Sequence, residues 1–218
     1  MKGIAIAIDG PAASGKSSVA HRVAEELGFV FVNSGAMYRA FSWQVIQSGI
    51  DPGNAEAVLE LLGRTKLECG EKEGIGTVLV NGVDPGDELF EETVNSTVSV
   101  IAAYPEVREC LVAAQRAYRD RNNVVMEGRD IGSVVFVDTP YKIYIDASPD
   151  VREKRRQAQG IEDSISDRDR QDSIREASPL VAAEGATVVD SSDLSLEEVV
   201  GLVLSELRDQ GLADMAGA

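Results

Sequence analysis

Residues 8–20 read IDGPAASGKSSVA. A short apolar run, Ile4–Ile8, enters a glycine, and five residues on comes Gly15-Lys16-Ser17. Gly10, Pro11, Ala12, Ala13, Ser14, Gly15, Lys16 and Ser17 fit the pattern G-x-x-x-x-G-K-[ST], and Ser18 follows it. The spacing has a chemical reason. Backbone N–H groups that turn inward around a phosphate need the conformational freedom of glycine. The helix that follows aims its positive end at the anion. Lys16 adds a full charge near the β/γ oxygens, and the Ser17 hydroxyl is placed to ligate Mg²⁺. The pattern alone is common, but here it follows a strand-like apolar run and opens a helix, which is the context it requires. It predicts a site for a nucleoside triphosphate, ATP above all, with Mg²⁺. It does not name what receives the phosphate.

Outward from this loop the chain alternates. Lys16–Leu27 reads as a helix stopped by Gly28, Phe29–Val32 as a second buried strand, and Ala36–Gln47 as a helix. Strand–helix–strand–helix order predicts a parallel sheet. The pattern then breaks. Lys66–Glu68 and Thr77–Val80 read as short strands, with a tight-turn signal at Asn81-Gly82. Glu88–Ala103 and Pro105–Tyr118 read as helices. Alternation returns with strands at Asn123–Met126, Lys142–Asp146 and Thr187–Val189. The helices of this part are Asp150–Gln159, Asp167–Glu176 and Ser195–Leu207, the last with a capping box at Ser195 and Glu198. One domain, 1–218, is expected: a core of about 1–54, 111–156 and 177–210, an insertion at about 55–110, and a loop at about 157–168.

The bulk numbers exclude more than they assert. With 218 residues, 44% of them hydrophobic, the chain can bury a core. A net charge of −16 makes nucleic acid and anionic membranes poor partners, since both attract positive surfaces. Cys69 and Cys110 form no disulfide framework or metal knuckle, and are expected to be buried or half-buried thiols. With no apolar segment of signal-peptide or membrane-spanning type, a cytoplasmic protein is expected. The single histidine, His21, lies on the first helix, so a histidine triad or multi-histidine metal site is not expected.

The acceptor is sought in charged residues after buried strands, because strand C-terminal ends line the crevice of a parallel sheet. Asn33, Glu127 and the Arg129-Asp130 pair follow such strands, and Arg39 stands one helical turn further on. Arg168, Asp172 and Arg175 share one helix face. Fifteen of the 21 basic residues are arginine, the better residue for bidentate phosphate contact. Several arginines near one crevice in an acidic protein predict two anionic ligands. A phosphate acceptor would need no general base, because a phosphomonoester with second pKa of about 6 is largely a dianion at pH 7. Positioning and charge neutralisation then suffice.

Taken together, IAIDGPAASGKSS, NSGAMYRA, SVIAAYPEVRE, VMEGRDIGSVVF, KIYIDAS, RDRQDSIREASPL and VVDSSDLSLEEVV resemble the bacterial cytidylate kinases, the (d)CMP kinase branch of the nucleoside monophosphate kinases. The segments occur in that family's order over nearly the whole chain. The resemblance implies transfer of phosphate from ATP to CMP or dCMP, with Mg²⁺, by a monomer. It implies a three-layer α/β/α P-loop fold with a five-stranded parallel sheet, a lid, and a monophosphate-binding insertion. It implies that Ser99, Arg108 and Asp130 meet the cytosine, Arg168 and Asp172 the ribose, and Ser34, Arg39, Arg129 and Arg175 the acceptor phosphate. Lys16, Arg129, Arg155 and Arg156 would stabilise the transferring group, with Arg152 nearby where the lid approaches ATP. Two departures stand out: Asn33 occupies a position that is usually Asp, and the lid, Gln157–Asp167, is short. Two other readings stay open: a P-loop kinase for another small metabolite or nucleoside monophosphate, and a P-loop switch that hydrolyses ATP without an acceptor.

Overall fold

A computed structural model of the chain describes residues 2–158 and 181–212. In chain order its elements are β1 (Ala5–Asp9), α1 (Lys16–Leu27), β2 (Val30–Asn33), α2 (Ser34–Gln47), α3 (Ala55–Arg64), β3 (Leu67–Lys72), β4 (Ile75–Val80), α4 (Glu92–Ile101), α5 (Pro105–Tyr118), β5 (Val124–Gly128), β6 (Lys142–Asp146), α6 (Pro149–Ala158), β7 (Thr187–Asp190) and α7 (Leu196–Asp209). A 3₁₀ turn at Gly86–Phe90 precedes α4, and a π-helical turn at Ile131–Val135 follows β5.

The apolar run that leads the sequence becomes the centre of the sheet. β1 and β5 are buried at every residue and lie side by side. Alternate side chains leave a strand on opposite faces. Ala5, Ala7, Val32, Val124 and Met126 therefore pack with Phe41, Leu61 and Leu111 beneath α2, α3 and α5. Ile6, Ile8, Val125, Ile143 and Ile145 pack with Val19, Val23, Val203 and Leu207 beneath α1 and α7. Two helical layers thus enclose one sheet.

The sheet has seven strands, in the order β3-β4-β2-β5-β1-β6-β7, and not the five expected. The parallel core β2-β5-β1-β6-β7 accounts for those five. The other two come from the insertion. β3 and β4 pair antiparallel from Leu67↔Val80 to Lys72↔Ile75, and β4 joins β2 at Phe31↔Ile75. The hairpin turns at Glu73-Gly74, with φ of 54° and 77°, rather than at Asn81-Gly82. Asn81-Gly82 makes a second tight turn just beyond, closed by paired bonds between Val80 and Val83. A strand placed along β2 adds hydrogen bonds to what would be an open edge.

Smaller differences also have local causes. α2 starts at Ser34 because the Asn33 side chain accepts from the Ala36 N–H at 3.1 Å and caps it. The helix expected at Glu88–Ala103 divides, because Glu91 is extended between the 3₁₀ turn and α4. Cys69 is half-buried, whereas Cys110 is exposed. Among the described residues no helix is long and apolar enough to cross a membrane.

Because β1 sits between β5 and β6, its C-terminal end opens beside theirs, where successive connections leave in opposite directions along the sheet. That end is the crevice.

Candidate functional site

The loop from Gly10 to Gly15 leaves β1 and delivers the chain into α1. Gly15 has φ 88°, a conformation that few side chains tolerate, and Ala13 reaches φ 58°. Lys16 leans back over the loop and donates to the Pro11 carbonyl at 3.1 Å. Its Nζ also lies 3.9 Å from Glu127 Oε2, with both side chains largely buried. Ser17 donates from Oγ to Glu127 Oε1 at 2.9 Å. The carboxylate at the end of β5 therefore holds both residues expected to meet phosphate and metal.

The loop after β5 is fastened to the P-loop from two directions. Arg129 donates from Nη1 to the Gly10 carbonyl at 2.9 Å. In return Asp9 accepts from the N–H groups of Ile131 and Gly132 at 2.7 and 2.8 Å. A Cβ on Gly128 would stand 2.6 Å from Ser34 Oγ and 2.7 Å from the Ile131 side chain, so any larger residue there would force both to shift. Burial pushes the Asp9 carboxyl up to about 7, against the opposing pull of its two N–H bonds.

That shift carries a sign. A carboxyl with a raised folded-state pKa holds a proton that the unfolded chain has already released. Its contribution to stability therefore declines as pH rises from about 4 to about 7, and is level above that. Asp9→Asn should lose stability overall, since its amide nitrogen would face one of the two N–H donors. Its Tm should nonetheless vary less with pH across that window than the wild type's. Calorimetry at several pH values checks this, and equal slopes in the two proteins would contradict it.

Across the crevice, Arg108 of α5 is paired with Asp130, both side chains nearly buried. The Arg108 guanidinium also lies over the Tyr38 ring, 5.9 Å from its centroid. Arg39 of α2 donates from Nε to Asn95 Oδ1 of α4 at 3.2 Å and lies over the Phe90 ring at 5.6 Å. Ser34, Arg39, Ser99, Arg108, Arg129 and Asp130 all line one cleft of about 450 Å³ together with Lys16 and Ser17. The donor and acceptor residues read from sequence thus meet in one space. Arg168, Asp172, Arg175 and nearly all of the expected lid fall outside the described residues.

The three arginines of α6 divide. Arg156 is buried and lines the cleft. Arg155 turns to the back of the P-loop: Nη1 donates to the Ser14 carbonyl and Ser191 Oγ, both at 3.0 Å, and Nη2 donates to the Ser191 carbonyl at 2.8 Å. Arg152 is held by the Ala147 carbonyl at 3.0 Å. His21 packs edge-on to Phe31 at 5.1 Å and does not line the cleft.

Sequence reasoning missed Asp9, Tyr38, Phe90, Asn95 and Ser191. Tyr38 stands one residue before Arg39, and its place one turn from Ser34 is the available signal. The others gain their role only through residues far along the chain.

Among the described residues there is no cluster of three or more His, Cys, Asp or Glu that could hold a metal ion. A hydroxyl and a carboxylate side by side, Ser17 and Glu127, suit a hard cation that takes most of its ligands from phosphate and water.

The Cytidylate kinase family model matches residues 6–209. A cytidylate kinase of Oceanobacillus iheyensis is 43% identical over 94% of each chain. One of Geobacillus kaustophilus is 41% identical over 95% of this chain and 97% of its own. Among solved structures, a gluconokinase of Sinorhizobium meliloti superposes with a TM-score of 0.51 at 16% identity, over 95% of this chain and 93% of its own. At that identity the likeness is one of fold.

Proposed function

Since the chain belongs to the cytidylate kinase family, we propose that it transfers the γ-phosphoryl group of ATP to the phosphate of CMP or dCMP, giving ADP and CDP or dCDP. It is a nucleoside monophosphate kinase. The observation that carries the acceptor assignment is the Arg108–Asp130 pair, set in the same cleft as Lys16 and Ser17.

Gly10–Ser18 would cradle the ATP phosphates, with Lys16 on the β/γ oxygens. Mg²⁺ fits beside Ser17, which would hold it. When bound, it would neutralise charge on the β/γ oxygens. Arg39, Ser34 and Arg129 would receive the acceptor phosphate at the N-terminal end of α2, with Arg175 from outside the described residues. Cytosine offers an amino donor and ring acceptors, which suit a carboxylate and a guanidinium respectively. Asp130 and Arg108, with Ser99, would read that edge. Uracil would turn a carbonyl oxygen toward the carboxylate, a repulsive contact. Arg168 and Asp172 would hold the ribose, residues about 55–110 would form the monophosphate-binding insertion, and about 157–168 the lid. Lys16, Arg129 and Arg156 would stabilise the phosphoryl group in flight. Arg155, set against the Ser14 carbonyl, would support the loop that holds ATP.

No base is needed, since the acceptor arrives largely as a dianion. The test is ADP formation with CMP, dCMP, UMP, AMP, GMP, cytidine or no acceptor. Turnover should depend on CMP or dCMP and be absent with cytidine. Transfer to cytidine would indicate a hydroxyl acceptor, and ATP consumption without acceptor would indicate a hydrolysing switch. Either result would overturn the proposal.

A further inference from the structure

Resting on the acceptor-phosphate role given to Arg39 above, we propose that Asn95 and Phe90 are positioning residues. They fix the Arg39 guanidinium so that its Nη edge faces the acceptor phosphate.

Arg39 sits in the second turn of α2, and its side chain runs back toward the start of that helix. A Cβ placed on Gly35 would stand 2.8 Å from Arg39 Nη1, so the Nη end lies over the first turn. The Nε edge is engaged from α4. It donates to Asn95 Oδ1 at 3.2 Å, and Asn95 is itself oriented by donating from Nδ2 to the Phe90 carbonyl at 2.8 Å. The Arg39 Cζ also lies over the Phe90 ring, 5.6 Å from its centre, within reach of a cation–π attraction. The Nε edge is thus held, and the cation sits over an aromatic ring. Arg39 lines the cleft, and a guanidinium can meet a phosphate bidentately through its Nη edge.

Two features fit a positioning role better than a packing one. Phe90 is 59% exposed, so burial does not account for a phenyl ring there. Asn95 supplies a neutral acceptor. It orients the guanidinium without cancelling the charge the phosphate needs, as a carboxylate would. Both residues lie in the segment between β4 and α5, whereas Arg39 belongs to α2. A separate bond, from Trp43 Nε1 to Glu88 Oε2 at 2.7 Å, ties the 3₁₀ turn to α2 independently of Arg39.

Steady-state kinetics of Asn95→Ala, Asn95→Asp, Phe90→Leu and Arg39→Gln, with CMP and ATP varied separately, test this. Asn95→Ala should raise KM for CMP by roughly tenfold and leave KM for ATP unchanged. Asn95→Asp, of almost the same shape, should raise it at least as much, because its charge competes with the phosphate. Phe90→Leu should raise it by about threefold or more. Asn95→Ala combined with Arg39→Gln should be no worse than Arg39→Gln alone. Unchanged KM for CMP in Asn95→Ala, where Arg39→Gln raises it, would overturn the positioning role and leave the role of Arg39 standing. Unchanged KM for CMP in Arg39→Gln would remove that role and this proposal together.

Discussion

Lys16→Met is expected to lower kcat by about 10²–10³-fold with little change in the fold. The magnitude is that of removing one preorganised donor from a transition state that gathers negative charge. Lys16 is placed for it. Its Nζ is held 3.1 Å from the Pro11 carbonyl and near Glu127, on the first residue of α1, at the mouth of the P-loop. Methionine keeps the length of the stem and removes the charge. The backbone cradle from Gly10 to Gly15 survives, so ATP affinity should fall less than turnover does. Circular dichroism and Tm close to wild type, with kcat lowered, are the expected results. Near-native kcat would take Lys16 out of the chemistry.

Arg108→Met should cost both stability and acceptor recognition. Arg108 and Asp130 form an ion pair with side chains only 10% and 12% exposed. Removing one partner strands the other charge in a dry place, which typically costs about 3–5 kcal/mol. The pair borders a cleft, so the lower end, about 3 kcal/mol, is expected. For a chain of this length that is a fall in Tm of about 6–12 °C. KM for CMP should rise sharply while KM for ATP holds. The double variant Arg108→Met/Asp130→Leu separates the two effects: it should recover much of the lost stability, because both charges of the pair are removed together, but none of the CMP recognition. An unchanged Tm in Arg108→Met would show that the pair is not desolvated in solution.

Much of this is legible in the sequence. Five parallel strands could be read because apolar runs such as Ile4–Ile8 and Val124–Met126 have one stable place, buried on both faces of a sheet. The two strands of the insertion were legible only in part: Lys66–Glu68 and Thr77–Val80 stood out, but not their hairpin or their place along β2. β3 carries Glu68, Glu71 and Lys72, and its turn uses Glu73-Gly74, a weaker signal than the nearby Asn81-Gly82. α3 is hard to read from sequence although Asn54 caps it and Val58 and Leu61 form its buried stripe. Its short length beside a Pro-Gly turn masked the periodicity. At the site, the glycine-flanked P-loop and Arg129-Asp130 stood out because charges and glycines directly after buried strands have few structural uses. Asp9 did not, because its partners Ile131 and Gly132 lie more than a hundred residues away. Asn95 and Phe90 likewise mean something only once α4 is folded against α2.

Recognition of a cytosine monophosphate by the cleft shows in the ratio of kcat/KM for CMP to that for UMP with ATP saturating. A charged hydrogen bond exchanged for a repulsive contact predicts a ratio of at least about tenfold, and up to about a hundredfold, in favour of CMP. A ratio near one would contradict it.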